Sequence, residues 1–174
     1  MVVMANAGMP EHIQRHSIMV ERAAGLIAEA WIQSGADLSE DRIRSGALLH
    51  DIAKAPCFAT GEDHAARGRD MCLEMGFHEI AEIVGQHVRL RDFEPHGDVL
   101  EKEVVFYADK RVNHDAIVSL EKRLADLIDR YGQGLDERIA RIRKNFDVCR
   151  KVERKLFSGL DFRPEDLAGL IDGD

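Results

Sequence analysis

The stretch Leu48-Leu49-His50-Asp51-Ile52-Ala53-Lys54 sets an imidazole and a carboxylate side by side after an apolar run, and closes with a lysine. An apolar approach of this kind belongs in a protein interior. There an ionised carboxylate is costly unless it is paired or coordinated. The pair therefore needs partners from elsewhere in the chain. His16, His64, His87 and Asp109 fit that role.

The chain around these positions is patterned for helices. From Pro10, residues Ile13, His16, Val20, Ala24, Ile27 and Trp31 step by three and four along one face, and Ser34-Gly35 ends the run. Ser39 reads as the N-cap of a second helix, with Glu40 and Asp41 at the positive end of its dipole. That helix is expected to run to about Ala55, because Pro56 biases its predecessor out of the α region. A loop from Pro56 to Gly61 is expected next. Asp63 reads as the N-cap of a third helix, and the small residues Ala65, Ala66 and Gly68 let it approach a neighbour closely. Gly76 breaks it. A fourth helix carries Ile80, Val84 and His87, and Asp92 to Asp98 reads as a loop. A fifth helix sets Val105, Ala108, Asp109 and Val112 on one face, where an aspartate is out of place in a plain core. Another helix follows Asn113-His114 and runs to Tyr131-Gly132. The last spans roughly Leu135 to Phe157, with Leu135, Ile139, Ile142, Phe146, Cys149, Val152 and Leu156 near a heptad step. No strand-like alternation or internal repeat is found. Met1 to Pro10 is expected to be a short frayed end, and the tail from Ser158 short and acidic.

The expected fold is all-α: a single-domain helical bundle with a core over 10–131 and a C-terminal helical extension over 132–174 packed on it. A chain of 174 residues suffices for that core. A net charge of -8 argues against a broad nucleic-acid surface and leaves an anionic substrate in need of a local cation. Cys57, Cys72 and Cys149 form no C-x-x-C pair, so a reducing cytoplasm is the simpler reading than a disulfide scaffold. No apolar run approaches a membrane span, and the start lacks the basic region and apolar core of a signal peptide.

A single histidine on an apolar face is more often a hydrogen-bonded core residue than a ligand. Four histidines and two aspartates on such faces of five successive helices make that reading poor for the set. Imidazole and carboxylate together suit Fe, Mn, Co, Ni or Zn, with Mg admissible. His12, His78, His96 and His114 fall at helix ends, loops or polar faces and are read as exposed. Asp63 is read as a cap. Lys54 is divided evenly between a helix-end cation and a phosphate contact, and Arg15 and Arg111 stay undecided. The basic residues of the last helix read as a solvated face.

With these residues in view, the chain resembles the HD-domain metal-dependent phosphohydrolases. The resemblance covers roughly residues 10 to 131. It rests on His16 in Arg-His-Ser, His50-Asp51 in Leu-Leu-His-Asp-Ile-Ala-Lys, and Asp109 in Tyr-Ala-Asp-Lys-Arg. His64 in His-Ala-Ala-Arg-Gly and His87 in Gly-Gln-His-Val match the subset with two extra histidines. For that subset the resemblance implies two metals. His16, His50 and Asp109 would hold one, His64 and His87 the other, and Asp51 would bridge them. The chain is similar in size and motif order to small bacterial HD proteins that cleave diadenosine tetraphosphate. Ala53 stands where many members have glycine. The Gly-Tyr-Pro extension of cyclic-di-GMP phosphodiesterases and the Glu-Asp pair of guanosine-tetraphosphate hydrolases are both missing from the sequence.

The expected function is hydrolysis of a phosphate ester or phosphoanhydride of a nucleotide or related small molecule, by metal-hydroxide attack on phosphorus. Asp51 and Lys54 are the expected catalytic residues, and Lys54 and Arg111 the expected substrate contacts. Two alternatives stand beside this: a non-catalytic, metal-stabilised nucleotide-binding module, and an HD-type di-iron oxygenase. The expected partner is a small phosphorylated substrate, with no membrane and no nucleic acid. The oligomeric state stays open, a homodimer being one option.

Overall fold

The computed structural model describes residues 2–173. Among them the regular structure is helical apart from one hairpin of two-residue strands, Val112–Asn113 against Ala116–Ile117. The elements are α1 (Val2–Asn6), α2 (Glu11–Gln33), α3 (Glu40–Leu49), α4 (Lys54–Thr60), α5 (His64–Glu74), α6 (His78–Gln86) and α7 (Glu101–Arg111). They continue with β1 (Val112–Asn113), β2 (Ala116–Ile117), α8 (Leu120–Tyr131), α9 (Asp136–Phe157), a 3-10 turn (Pro164–Asp166) and α10 (Leu167–Asp172). No described helix is long and apolar enough to cross a membrane.

The expected punctuation is largely present. Ser39 accepts a hydrogen bond from the Arg42 amide, and Asp63 accepts from the amides of Ala65 and Ala66, so both cap their helices. Gly35 and Gly76 adopt positive φ just past the ends of α2 and α5, a conformation glycine reaches without strain.

α2 and α7 run through the centre, with Val20, Ala24, Ile27, Val104, Phe106 and Ala108 all buried. α3 packs between α2 and α6. Two glycines set how close it comes. A Cβ on Gly46 would lie 2.6 Å from Ile83 Cγ2 of α6, and one on Gly25 would lie 2.2 Å from the guanidinium of Arg44. That guanidinium crosses Gly25 to reach Glu21, Glu29 and Glu40, clamping α3 to α2. On α5, Gly68 sits against Val84 of α6, as the small-residue pattern predicts.

Several expectations need correction. Pro56 does not open a loop but lies in the first turn of α4, where the missing N–H has no intrahelical partner to lose. The helix instead stops earlier, at Leu49, and His50-Asp51-Ile52-Ala53 form a buried turn between α3 and α4. The amino-terminal segment is packed: Met4 and Met9 are in the core. The segment after Ser158 is likewise docked by Leu167 and Ile171. The apolar stripe of α9 is buried only from Phe146 onward, through Cys149, Val152 and Leu156, while Leu135 is exposed. Truncating Phe146 to alanine should therefore cost about 3–5 kcal/mol. Arg138, Arg141, Arg143, Lys144, Lys151 and Arg154 are exposed as expected, but Lys155 is buried.

Candidate metal centre

α3 and α6 end in the same way. Each stops at a histidine whose ring folds back on its own last turn: Nδ1 of His50 donates to the Ala47 carbonyl at 2.6 Å, and Nδ1 of His87 to the Val84 carbonyl at 2.6 Å. These carbonyls are among those a helix end leaves without partners. His16, on the second turn of α2, uses a distant acceptor, the carbonyl of His114, at 2.8 Å. A carbonyl only accepts, so all three rings carry their proton on Nδ1. Nε2 is left facing inward as the donor atom, the arrangement that fixes a metal-ligating imidazole.

The Nε2 atoms meet two carboxylates. His16 Nε2 is 3.2 Å from Asp109 Oδ1, and His50 Nε2 is 3.6 Å from the same oxygen. His50 Nε2 is also 3.4 Å from Asp51 Oδ2. The other oxygen, Asp51 Oδ1, lies 3.4 Å from His64 Nε2 and 3.5 Å from His87 Nε2. Asp51 thus stands between His50, which faces Oδ2, and the pair His64 and His87, which face Oδ1. Two ligand groups result, His16-His50-Asp51 and Asp51-His64-His87, each with its donor atoms within 4.8 Å of one another. Asp109 joins the first through His16 and His50.

Two features show that these residues fit metal ions. His50 Nε2 is buried and, although it faces two carboxylates, makes no hydrogen bond of acceptable geometry. An orphaned donor atom of this kind needs a partner. Further, Nε2 of His64 and Nε2 of His87 approach to 3.2 Å while the proton of His87 is committed at Nδ1. Two lone pairs at that distance repel unless a cation or proton lies between them.

The electrostatics agree. Burial opposes ionisation of Asp51, but His50 and Lys54 beside it hold its carboxyl well below the usual range. Burial likewise opposes charge on Asp109, and Lys110, His16 and His50 hold it well below that range too. Burial pushes His87 down to about 4, so its imidazole is neutral and its Nε2 lone pair is available. Burial also disfavours the imidazolium of His50, yet Asp51 and then Asp109 outweigh it and raise its pKa. A divalent ion held by these residues would supply the positive charge the carboxylates attract, in place of a proton.

Lys54 donates to Asp51 Oδ2 at 2.6 Å, from the first residue of α4. It also lines a cavity of about 430 Å³ that opens from His16 and Asp51 to the surface. Arg111 does not join the centre. Its guanidinium is buried on the far side of α7 and donates to Tyr107 Oη and to the carbonyls of Val118 and Pro164. The expected substrate contact at Arg111 is therefore replaced by a structural clamp, because the hairpin and the carboxy-terminal segment supply acceptors there.

Sequence reading missed four contributors. Lys110 donates to Asp109 Oδ2 at 2.8 Å and to the His87 carbonyl, bracing both. His114 is exposed as expected, yet its carbonyl orients His16. Arg123 and Arg130 of α8 line the same cavity as Lys54. The seven-residue step between these arginines, which places them on one helix face, was the available signal.

An all-helical domain with buried histidines and aspartates gathered at the floor of a cavity defines a protein built around a site compatible with metal binding. Comparison with known proteins gives the family: the HD-domain model matches residues 13–132, and the chain belongs to that family, whose members are generally metal-dependent hydrolases. The chain is also similar to an uncharacterized protein of Methanocaldococcus jannaschii, with 29% identity over 136 residues that cover 66% of this chain and 78% of that one. No solved structure matches significantly.

Proposed function

We propose that this protein is a metal-dependent phosphohydrolase that cleaves a phosphate ester or anhydride of a nucleotide or related small molecule. The observation that carries this reading is the position of Asp51, with one carboxylate oxygen toward His50 and the other toward His64 and His87, so that it belongs to both ligand groups. Asp51, His16, His50 and Asp109 would hold one ion, and Asp51, His64 and His87 a second, as in the family subset with two extra histidines. Bound there, Fe, Mn, Co, Ni, Zn or Mg would supply Lewis acidity toward phosphoryl oxygens and toward a water nucleophile.

The chain's own residues supply the rest. The backbone acceptors of His114, Ala47 and Val84 keep the imidazoles in one tautomer and orientation. Lys110 fixes Asp109 from behind. Lys54, half-exposed at the cavity floor, presents a cation beside Asp51 where a phosphoryl oxygen would enter. The similarity in motif order to diadenosine tetraphosphate hydrolases makes that dinucleotide one candidate substrate. In this reading residues 10–131 form the catalytic core and 132–174 an extension that buttresses α7.

The test is phosphate release from a panel of nucleotides, including diadenosine tetraphosphate, by protein loaded with each metal in turn. Release that requires the ion supports the reading. An ion-loaded protein that hydrolyses none of the panel, or that consumes oxygen instead, contradicts it.

A further inference from the structure

The cavity that opens from His16 and Asp51 is also lined by two arginines from α8. Arg123 is nine-tenths buried: its side chain is 10% exposed. Its Nη1 donates to Asn113 Oδ1 at 3.2 Å and to Asp126 Oδ2 at 2.9 Å, while its Nε is buried without a partner. Arg130, about two turns further along α8, uses Nη2 to reach the other oxygen of Asp126 at 2.8 Å and the His114 ring nitrogen Nε2 at 2.8 Å. Asn113 Oδ1 also lies 3.5 Å from Arg130 Nη2. Asp126 and Asn113 thus bracket both guanidinium groups, and one carboxylate between two arginines leaves a net positive charge.

The bracket is tied to the metal centre. His114 opens the two-residue turn of the hairpin with φ +57°, a conformation rare for a side chain larger than glycine. That turn aims its carbonyl at His16 Nδ1 and its ring at Arg130. An arginine only donates, so His114 Nε2 accepts and its proton sits on Nδ1. One strained residue therefore positions both a metal ligand and an arginine on the same cavity.

We propose that Arg123 and Arg130 form a subsite for a second anionic group of the substrate, separate from the phosphoryl group that meets the metal centre. Guanidinium forks match phosphate oxygens, and Arg130, whose side chain is 38% exposed at the cavity wall, is the fork an entering anion can reach, with the charge of the more buried Arg123 beside it. The inference rests on the phosphohydrolase reading and sharpens it: the substrate class is a compound with two or more linked phosphates, in preference to a monophosphate.

Calorimetric titration of metal-loaded protein with inorganic pyrophosphate and with inorganic phosphate tests the subsite without requiring turnover. In Arg130→Gln the ratio of pyrophosphate to phosphate affinity is expected to fall about tenfold or more, the scale of one lost charge-assisted hydrogen bond. Arg130→Lys should restore part of it, and Arg138→Gln, on an exposed turn of α9 outside the cavity, should leave the ratio as it is. A ratio unchanged in Arg130→Gln overturns the proposal. Phosphate release from the whole nucleotide panel by the unaltered metal-loaded protein is read separately. Its failure would remove the hydrolase reading, whereas the ratio speaks only to the subsite.

Discussion

Two groups of buried charge sit on α7, and they are built differently. At its start, Glu103 is fully buried and pairs with Lys155 of α9, whose Nζ lies 2.9 and 2.8 Å from the two carboxylate oxygens. The same ammonium donates to the carbonyls of Glu94 and Asp98 at 2.9 Å, and Glu103 accepts from the Leu100 amide at 3.2 Å. Cation and anion are both satisfied from within the chain. At the other end of α7, Asp109 faces a group in which imidazole nitrogens point at one another and His50 Nε2 has no partner. The first is a closed ion pair that joins α7, α9 and the loop before α7. The second leaves His50 Nε2 without a partner inside the chain, and a bound cation would complete it. Burial alone does not separate them; satisfaction of each donor and acceptor does.

The largest difference should appear on removing Asp51. Asp51→Ala is expected to abolish metal binding and to lower phosphate release by about a thousandfold or more, read by metal analysis and turnover. If that protein keeps its metal and its rate, the second group is as self-contained as the first. The converse change is Lys155→Ala, which leaves Glu103 buried without its partner. Stability should fall by about 3–5 kcal/mol in denaturant unfolding, while metal content per folded molecule stays that of the unaltered protein. A loss of metal in Lys155→Ala would mean that the two ends of α7 are coupled.

Chelation sharpens the contrast at a smaller scale. An ion present at a hundred times its dissociation constant adds about 2.7 kcal/mol, so its removal should lower Tm by about 5–10 °C. The same shift should be missing in Asp51→Ala. Smallest is Lys54→Ala, which takes away a cation without removing a proposed ligand. It should reduce kcat/KM by about tenfold with metal content retained, consistent with one electrostatic contact to substrate. Full loss of metal in that variant would make Lys54 a positioning residue for Asp51 instead.

Much of this was legible in the sequence, for physical reasons that also explain what was not. The three-and-four step of Ile13, His16, Val20 and Ala24 reports helix and burial together, so His16 could be set in the interior from spacing alone. Caps at Ser39 and Asp63 are local chemistry and were readable for the same reason. The turn at His50–Ala53 was not. Proline is compatible both with a helix end before it and with a first turn around it, and only packing of Ile52 and Cys57 into the core decides. Arg111 and Lys155 were misread because a long cationic side chain looks alike in sequence whether it is solvated or clamped. Their acceptors, the carbonyls of Val118, Pro164, Glu94 and Asp98, leave no trace in residue type. The role of His114 was hidden the same way, since its contribution to His16 is a backbone oxygen placed by a positive φ.

Metal stoichiometry bears most directly on the claim that α7 ends in an incomplete site. Protein purified without chelator, incubated with Mn, Fe, Co, Ni or Zn and then freed of loose ions, should retain roughly one to two ions per chain, and Asp51→Ala should retain none. Unaltered protein that comes through this treatment with no bound ion of any kind would contradict the account.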